Sequence, residues 1–324
     1  MPRLQYYRAK SLQEAARMLA DGGCQAAILG GGTDLVPRMK RRQENFKALI
    51  DVGAIRQLSQ IRRAKNKLYL GAGLKLSFLA QSSELSQFAA FKQAAGLVAT
   101  PAIRNQATLG GNLCIPTRCV YFDRSDQWRE SLGFCLRHKG LACRAAPGSA
   151  VCLAPMSSDL APVLVALGAQ VQLVSRDGER AARLEEFYKN DGKDHLQKSA
   201  GEILAWVAVE SGVFTDSVYL KLSRRHSFEF PSLGVAVALS RRKGTIDAAK
   251  IVLGSIAPYP VVARESQDIL IGGKLSDELI AKAAGAAARQ ATPVANADLS
   301  PSYRRKMIGV LLKKALHEIR QAGS

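Results

Sequence analysis

The chain contains 324 residues, of which 47% are hydrophobic, and this length suffices for about two domains that each bury a core. Lys and Arg number 46 against 27 Asp and Glu, and the resulting formal net charge of +19 favours an acidic partner. The basic residues occur in short scattered groups with few aromatic residues between them, which argues against a nucleic-acid-binding module.

The sequence indicates neither a secretion signal nor a membrane span. Residues 1–7 lack the apolar stretch of a signal peptide. The longest apolar run, about 160–174, is shorter than the ~20 residues that cross a bilayer. We therefore expect a cytoplasmic protein without a membrane partner, in which clustered cysteines are metal ligands rather than disulfides.

The N-terminal third alternates helix and strand patterns. Ser11 and Glu14 form a helix-start signal, and the apolar residues that follow predict a helix ending at 21–23. Short strands are predicted at 25–29, 47–52 and 67–71. The first of them leads directly into the glycine-rich residues 30–35. Helices are predicted at 77–85 and 87–96, before Pro101 interrupts the pattern.

Regular periodicity fails between residues 115 and 155. A long irregular stretch within a compact domain is usually functional or disordered. Five of the six cysteines lie between positions 114 and 152, so we interpret this stretch as functional.

The rest of the chain returns to regular patterns. A helix is predicted at 159–168, followed by strands at 170–175 and 202–209. A boundary near 212–216 divides the chain into residues 1–214 and residues 215–324. Beyond it we predict strands at 217–222, 234–240 and 250–255, then helices at 275–289 and 302–321. Strands followed by helices are typical of a separate α+β domain.

Two glycine-rich loops are candidates for a phosphate site. Gly30 to Gly32 follow a predicted strand, and three glycines let several N–H groups point at one anion. The pattern is neither a Walker A loop nor the dinucleotide fingerprint, because Leu35 occupies the last glycine position. Thr108 to Asn112 form the second loop. Each loop alone fits an ordinary tight turn, whereas the two together favour a dinucleotide pyrophosphate.

The cysteines leave three interpretations open. Cys119, Cys135, Cys143 and Cys152 are separated by 16, 8 and 9 positions, which is too wide for the paired cysteines of a zinc ribbon. The gaps also differ from the ferredoxin spacings. One four-iron cluster, a loose zinc site and merely buried thiols remain compatible with them. Cys24 precedes an apolar strand and is expected to be a core thiol.

Six short motifs occur in order along nearly the whole chain. They are residues 30–35 (GGGTDL), 49–52 (LIDV), 107–112 (ATLGGN), 158–160 (SDL), 221–225 (KLSRR) and 302–305 (SYRR). Together they resemble the FAD-binding medium subunit of the xanthine dehydrogenase and carbon monoxide dehydrogenase family. The resemblance implies an α+β fold, with a two-part FAD-binding domain of the vanillyl-alcohol-oxidase type and a smaller C-terminal α+β domain of the CO dehydrogenase flavoprotein type.

The resemblance also implies which residues contact FAD. The expected contacts are Leu29, Gly30, Gly31, Gly32, Thr33, Asp34, Leu35, Val36, Val98, Thr108, Leu109, Gly110, Gly111, Asn112, Asp159 and Lys221. The two loops would hold the pyrophosphate through backbone N–H groups, and Asp159 and Lys221 would approach the ribityl or isoalloxazine end.

The cysteine-bearing segment, about 114–155, narrows the resemblance because most members of the family lack it. It is similar to the insert of the 4-hydroxybenzoyl-CoA reductase branch, whose beta subunit carries a 4Fe-4S cluster there. By this likeness Cys119, Cys135, Cys143 and Cys152 are the ligands, and Cys114 is a spare.

The same branch implies partners and a direction of electron flow. A large molybdopterin subunit and a small subunit with 2Fe-2S clusters would complete a heterotrimer, which is expected to dimerise. Electrons from a ferredoxin would pass through the 4Fe-4S cluster and FAD towards molybdenum, where 4-hydroxybenzoyl-CoA loses its phenolic hydroxyl. This chain would contain no catalytic residue for that reaction.

Two other functions remain compatible with the sequence. One is the medium FAD subunit of an oxidative molybdenum hydroxylase, in which electrons leave through FAD. The other is a basic nucleic-acid-binding protein stabilised by zinc.

Overall fold

This computed structural model describes residues 4–322 and contains three sheets. The glycine-rich loop lies at one edge of the first sheet. Its parallel strands lie in the order β1-β3-β2, and they are β1 (Gln5–Arg8), β2 (Ala26–Leu29) and β3 (Ala48–Asp51). Helix α1 (Leu12–Gly22) begins where the Ser11 hydroxyl accepts a hydrogen bond from the Glu14 N–H, and its apolar face is buried. Helix α2 (Leu35–Lys40) follows the loop at the carboxyl end of β2.

The second sheet is antiparallel and packs against the main core. Its order is β4-β5-β8-β6-β7, and its strands are β4 (Ile61–Ala64), β5 (Lys67–Gly71), β6 (Gln170–Ser175), β7 (Gly178–Arg183) and β8 (Ile203–Glu210). The helices between β5 and β6 are α3 (Leu76–Gln81), α4 (Ala89–Leu97), α5 (Pro101–Arg104), α6 (Leu109–Leu113), α7 (Asp126–Ser131) and α8 (Leu160–Ala166). Every residue of α8 is buried, which places this helix at the centre of the fold.

The third sheet and three helices form the C-terminal part. Its antiparallel strands lie in the order β12-β11-β10-β9, and they are β9 (Asp216–Leu222), β10 (Leu233–Arg242), β11 (Thr245–Gly254) and β12 (Val261–Val262). The helices are α9 (Arg264–Leu270), α10 (Asp277–Gln290) and α11 (Pro301–Ala322). A second hydrophobic core lies between this sheet and these helices.

The α+β fold class predicted from the sequence is confirmed, with corrections to several elements. The turn predicted at 108–112 is the start of α6, because the Thr108 side chain caps the Gly111 N–H and a helix forms. Strands β1, β4 and β7 were not predicted, since all three are largely exposed and lack an apolar alternation. Within 115–155 the one α-helix is the six-residue α7.

Candidate functional site

The loop between β2 and α2 presents a run of unpaired backbone donors. Within residues 4–322, the N–H groups of Gly31 to Leu35 donate no hydrogen bond to another protein group. Gly32 has φ +69°, a conformation that glycine adopts without strain. Successive free N–H groups in a turn form an anion site, so this loop fits a phosphate.

The two glycine loops pack directly against each other. A Cβ atom on Gly31 would overlap the backbone carbonyl oxygen of Gln106. A Cβ atom on Gly30 would lie 3.0 Å from the Thr108 hydroxyl oxygen. Glycine is therefore required here for the close approach of the loops, in addition to any approach of a ligand.

The second loop does not supply the N–H donors that the sequence suggests. The Leu109 and Gly110 N–H groups donate to Leu74 and Ala72 at 2.9 and 2.7 Å. The Gly111 N–H donates to the Thr108 hydroxyl, and the Asn112 N–H donates to the Thr108 carbonyl. These groups are already paired within the fold, so the longer run of free N–H donors lies in the first loop.

A buried polar cluster continues from the second loop. The Ser158 hydroxyl donates to the Asn112 side-chain oxygen at 2.7 Å. The neighbouring Asp159 carboxylate is 2% exposed, accepts from the Tyr219 hydroxyl at 2.9 Å and pairs with the Lys221 ammonium at 3.1 Å. Burial raises the pKa of Asp159 to about 6, against the opposing effects of Lys221 and Tyr219.

Lys221 ties this cluster to two further segments. Its ammonium donates to the Leu97 carbonyl at 3.1 Å and to the Glu229 carbonyl at 2.9 Å. Val98 follows Leu97 directly, and its carbonyl accepts from Arg104 at 2.7 Å. A continuous series of contacts therefore links the expected FAD residues of the two loops with Val98, Asp159 and Lys221. Their contact with FAD itself stays a prediction.

The four predicted cysteine ligands line one cavity. Cys119, Cys135, Cys143 and Cys152 surround it, whereas Cys114 does not. The cavity is small and opens to solvent. All six cysteines are free thiols.

Tight local turns bring these cysteines to the cavity. Residues 135–143 form a short hairpin, in which the Leu136 N–H donates to the Ala142 carbonyl at 2.8 Å. Cys119 begins a turn in which its carbonyl accepts from Asp123 at 2.9 Å. The Cys152 carbonyl accepts from the Gly192 N–H at 2.6 Å. Backbone hydrogen bonds therefore fix the irregular segment without regular secondary structure.

The cavity offers four thiols, a donor set that holds iron-sulfur clusters and zinc alike. In the part of the chain that the structure describes, no three His, Cys, Asp or Glu side chains are placed to hold one ion. Burial raises the pKa of Cys119 to about 12, with smaller effects from the other three cysteines, so a bound metal would be needed to form the thiolates.

Three arginines that the sequence analysis missed lie between the glycine loop and the cavity. Arg38 of α2 is 1% exposed, pairs with Glu44 and lies 4.0 Å from Asp34, yet its Nε and Nη1 atoms have no hydrogen-bond partner. Arg118 pairs with Asp34 of the loop, and Arg137 lines the cavity. Positive charge that the protein leaves partly unpaired is consistent with an anionic group in the cavity. The one sequence signal for Arg118 and Arg137 is that each lies within two positions of a cysteine.

One sequence prediction about the cysteines is wrong. Cys24 is exposed rather than buried in the core, because it lies in a 3-10 turn before β2 begins. The apolar strand that follows starts two residues later, at Ala26.

Comparison with known proteins identifies the family. Residues 2–209 match the FAD binding domain in molybdopterin dehydrogenase, and residues 218–319 match the CO dehydrogenase flavoprotein C-terminal domain. This chain belongs to the family of FAD-binding subunits of molybdopterin dehydrogenases. It is a medium FAD-binding subunit of the molybdenum hydroxylase type, and FAD is its cofactor.

Relatives match over almost their full length. The 6-hydroxypseudooxynicotine dehydrogenase complex subunit alpha of Paenarthrobacter nicotinovorans is 29% identical, over 98% of this chain and 96% of its own. The glyceraldehyde dehydrogenase medium chain of Sulfolobus acidocaldarius is 26% identical, over 98% and 99%. A carbon monoxide dehydrogenase structure from Hydrogenophaga pseudoflava has the same fold, with a TM-score of 0.81, 24% identity, and coverage of 99% of this chain and 98% of that one.

The family assignment distinguishes an oxidoreductase subunit from a nucleic-acid-binding protein. The chain is an oxidoreductase subunit, so the nucleic-acid-binding alternative is not supported. Across residues 4–322, no helix is both long and apolar enough to cross a membrane.

Proposed function

We propose that this chain is the flavin and iron-sulfur electron-transfer subunit of a molybdenum-dependent reductase of the 4-hydroxybenzoyl-CoA type. The observation that carries this proposal is the cavity whose wall contains Cys119, Cys135, Cys143 and Cys152. A 4Fe-4S cluster held by these thiolates would supply one-electron chemistry, and FAD would exchange electrons with it and with the partner subunits. A low-potential cluster is the feature that favours reductive over oxidative chemistry.

The position of the cavity supports electron exchange with FAD. Arg118 pairs with Asp34 of the glycine loop and directly precedes Cys119. Arg118 therefore contacts the proposed FAD-binding loop and is the neighbour in the chain of a proposed cluster ligand. The protein contributes binding residues, orientation and local charge, while the cofactors supply the redox chemistry.

Partner subunits are part of the proposal. We infer a heterotrimer with a molybdopterin subunit and a 2Fe-2S subunit, because several relatives are named as subunits or chains of dehydrogenases. A ferredoxin is the proposed donor. The net charge of +19 supports this choice, since an acidic carrier would be steered towards a basic protein.

Metal analysis of the anaerobically purified protein tests the cluster. We expect this subunit to hold four irons and four acid-labile sulfides per FAD, beyond those of the 2Fe-2S subunit, and to give its own electron paramagnetic resonance signal after reduction. The complex should then reduce 4-hydroxybenzoyl-CoA with a low-potential donor. Zinc instead of iron, or neither metal, would contradict the proposal.

The medium subunit of an oxidative molybdenum hydroxylase is the second candidate. It is favoured by the relatives, which are named as dehydrogenases that act on other compounds. Substrate oxidation with electrons leaving through FAD, in a complex whose medium subunit holds no iron, would establish this alternative.

A further inference from the structure

Arg137 has an unusual position in the wall of the cysteine cavity. It lies two residues after Cys135 and lines the same space as the four thiols. Its Nη1 atom donates to the Thr117 carbonyl at 2.9 Å and to the Thr117 hydroxyl at 2.8 Å. The guanidinium carbon also lies 4.2 Å from the centre of the Phe122 ring. Contacts on two sides therefore hold this charge in one orientation.

Thr117 is itself fixed by the fold. It is fully buried, and its hydroxyl donates to the Gly192 carbonyl at 2.6 Å. The N–H of the same Gly192 donates to the Cys152 carbonyl at 2.6 Å. Thr117 thus connects the guanidinium to the backbone that carries one of the cysteines.

The protein does not neutralise the charge on Arg137. In the described part of the chain no carboxylate lies within ion-pair distance of it. The charged groups that face it are Arg38, Asp123 and Glu44. Asp123 lies 3.7 Å from Arg118, and Glu44 pairs with Arg38, so both acids have another arginine partner. The guanidinium of Arg137 is positively charged at physiological pH, and the residue lines the cavity.

We propose that Arg137 is the positioning residue that sets the reduction potential of the cluster, through a fixed charge that Thr117 holds in the cavity wall. This rests on the proposed cluster. Reduction adds one electron to a group that four thiolates already make anionic, so a nearby positive charge stabilises the reduced state more than the oxidised state. Removing the charge lowers the potential.

The test is a potentiometric titration of the purified full-length protein, followed by electron paramagnetic resonance. In Arg137→Gln we expect the equilibrium constant for reduction to fall about tenfold, which is ~59 mV for a one-electron couple. Arg137→Lys should recover part of this loss. Thr117→Val should give a smaller fall in the same direction, because the charge remains but loses its hydroxyl contact.

Arg144→Gln is the matched control. Arg144 also lines the cavity, but it is exposed, and its Nε atom donates to the Phe134 carbonyl at 2.7 Å. Solvent screens such a charge, so this variant should keep the wild-type potential. The flavin potential of each variant, measured in the same titration, should also stay unchanged.

The outcomes separate this inference from the proposed function. Four irons with the wild-type potential in both Arg137→Gln and Thr117→Val would overturn the role of Arg137 and leave the cluster in place. If Arg137→Gln loses its iron, Thr117→Val decides alone: a lowered potential supports the role, and an unchanged one overturns it. A wild-type protein without iron would instead overturn the proposed function.

Discussion

The Arg118 guanidinium donates a hydrogen bond to the Asp34 carboxylate, and this ion pair joins the cysteine-rich segment to the glycine loop. Arg118 also lies 3.7 Å from Asp123 and 4.8 Å from the ring centre of Phe230 in the C-terminal part. One side chain therefore contacts three regions of the molecule. Its loss should affect both proposed cofactor sites together.

Arg118→Met tests this coupling. We expect FAD to dissociate about tenfold more readily, which corresponds to about 1.4 kcal/mol, because a partly buried charged hydrogen bond is lost. Iron content should fall in the same protein, as measured by metal analysis beside flavin absorbance. Arg124→Met is the control, since Arg124 is exposed in the same segment and contacts Val120 and Trp128 instead. Unchanged FAD affinity and iron content in Arg118→Met would show that the two sites are independent.

Gly31→Ala should remove FAD. The added Cβ overlaps the Gln106 carbonyl and must separate the two glycine loops, which moves the free N–H groups of the first loop. Flavin absorbance per protein should fall by more than half. Gly96→Ala is the matched control, because its Cβ would lie 3.9 Å from Ala80, an ordinary contact. A folded Gly31→Ala protein with full flavin would show that the loop assignment is wrong.

Serine replacement should separate the cavity cysteines from the others. Cys135→Ser and Cys143→Ser should each lose most of the iron, because thiolates hold such clusters. FAD should remain, since the glycine loops lie outside the insert. Cys24→Ser and Cys114→Ser are the controls, as neither residue lines the cavity. Four irons retained in both cavity variants would exclude these residues as ligands.

The sequence predicts features that depend on residues close together in the chain. It does not predict features that depend on residues far apart in the chain. Ser11 and Glu14 signal the start of α1 because a helix cap is local. Thr108 was assigned to a turn because the helix it caps is only five residues long and contains two glycines. The spacing of the cysteines leaves a cluster, zinc and buried thiols open. The cavity between them exists only in three dimensions.

The arginines illustrate the limit most clearly. The 46 basic residues carry no sequence signal that distinguishes buried Arg38 from exposed ones. The proposed role of Arg137 depends on Thr117, twenty positions away, and on the lack of an ion-pairing carboxylate within residues 4–322. Contacts of this kind are produced by the packing of the insert and follow no periodic pattern.

Asp159 predicts a pH dependence of the flavin potential. Burial raises the pKa of its carboxyl group from 3.8 to about 6, so the negative charge is lost as pH falls through about 6. Lys221 then remains charged without its partner. Because flavin gains electrons on reduction and so favours protonated Asp159, its midpoint potential should rise more steeply as pH falls towards about 6 and less steeply below it. Spectroelectrochemical titration should show a bend near pH 6.

Two variants test the assignment of that bend. Asp159→Asn should abolish it, because no ionisable group remains at this position. Tyr219→Phe should move it to higher pH, since the Tyr219 hydroxyl donates to the ionised carboxylate and opposes the effect of burial. A bend that is identical in all three proteins would assign it to another group.

The hairpin between Cys135 and Cys143 predicts where the electron donor docks. Leu141 at its tip is completely exposed, and its neighbours Lys139 and Arg144 are exposed basic residues. No acidic residue occurs between the two cysteines. An apolar centre with a basic surround fits an acidic carrier, and the tip lies beside the proposed cluster.

Stopped-flow reduction by an acidic ferredoxin measures this docking. The bimolecular rate should fall as salt rises, and at low salt Lys139→Glu should reduce it about tenfold, because steering depends on charge near the contact. Lys313→Glu makes the same change in net charge on the exposed face of α11 and should have little effect. Leu141→Ala should slow reduction at all salt concentrations, since apolar contact is not screened. Reduction by dithionite, which needs no docking, should be equal in all variants. If Lys139→Glu and Lys313→Glu slow the ferredoxin reaction equally, the effect belongs to the overall charge and the hairpin is not the docking site.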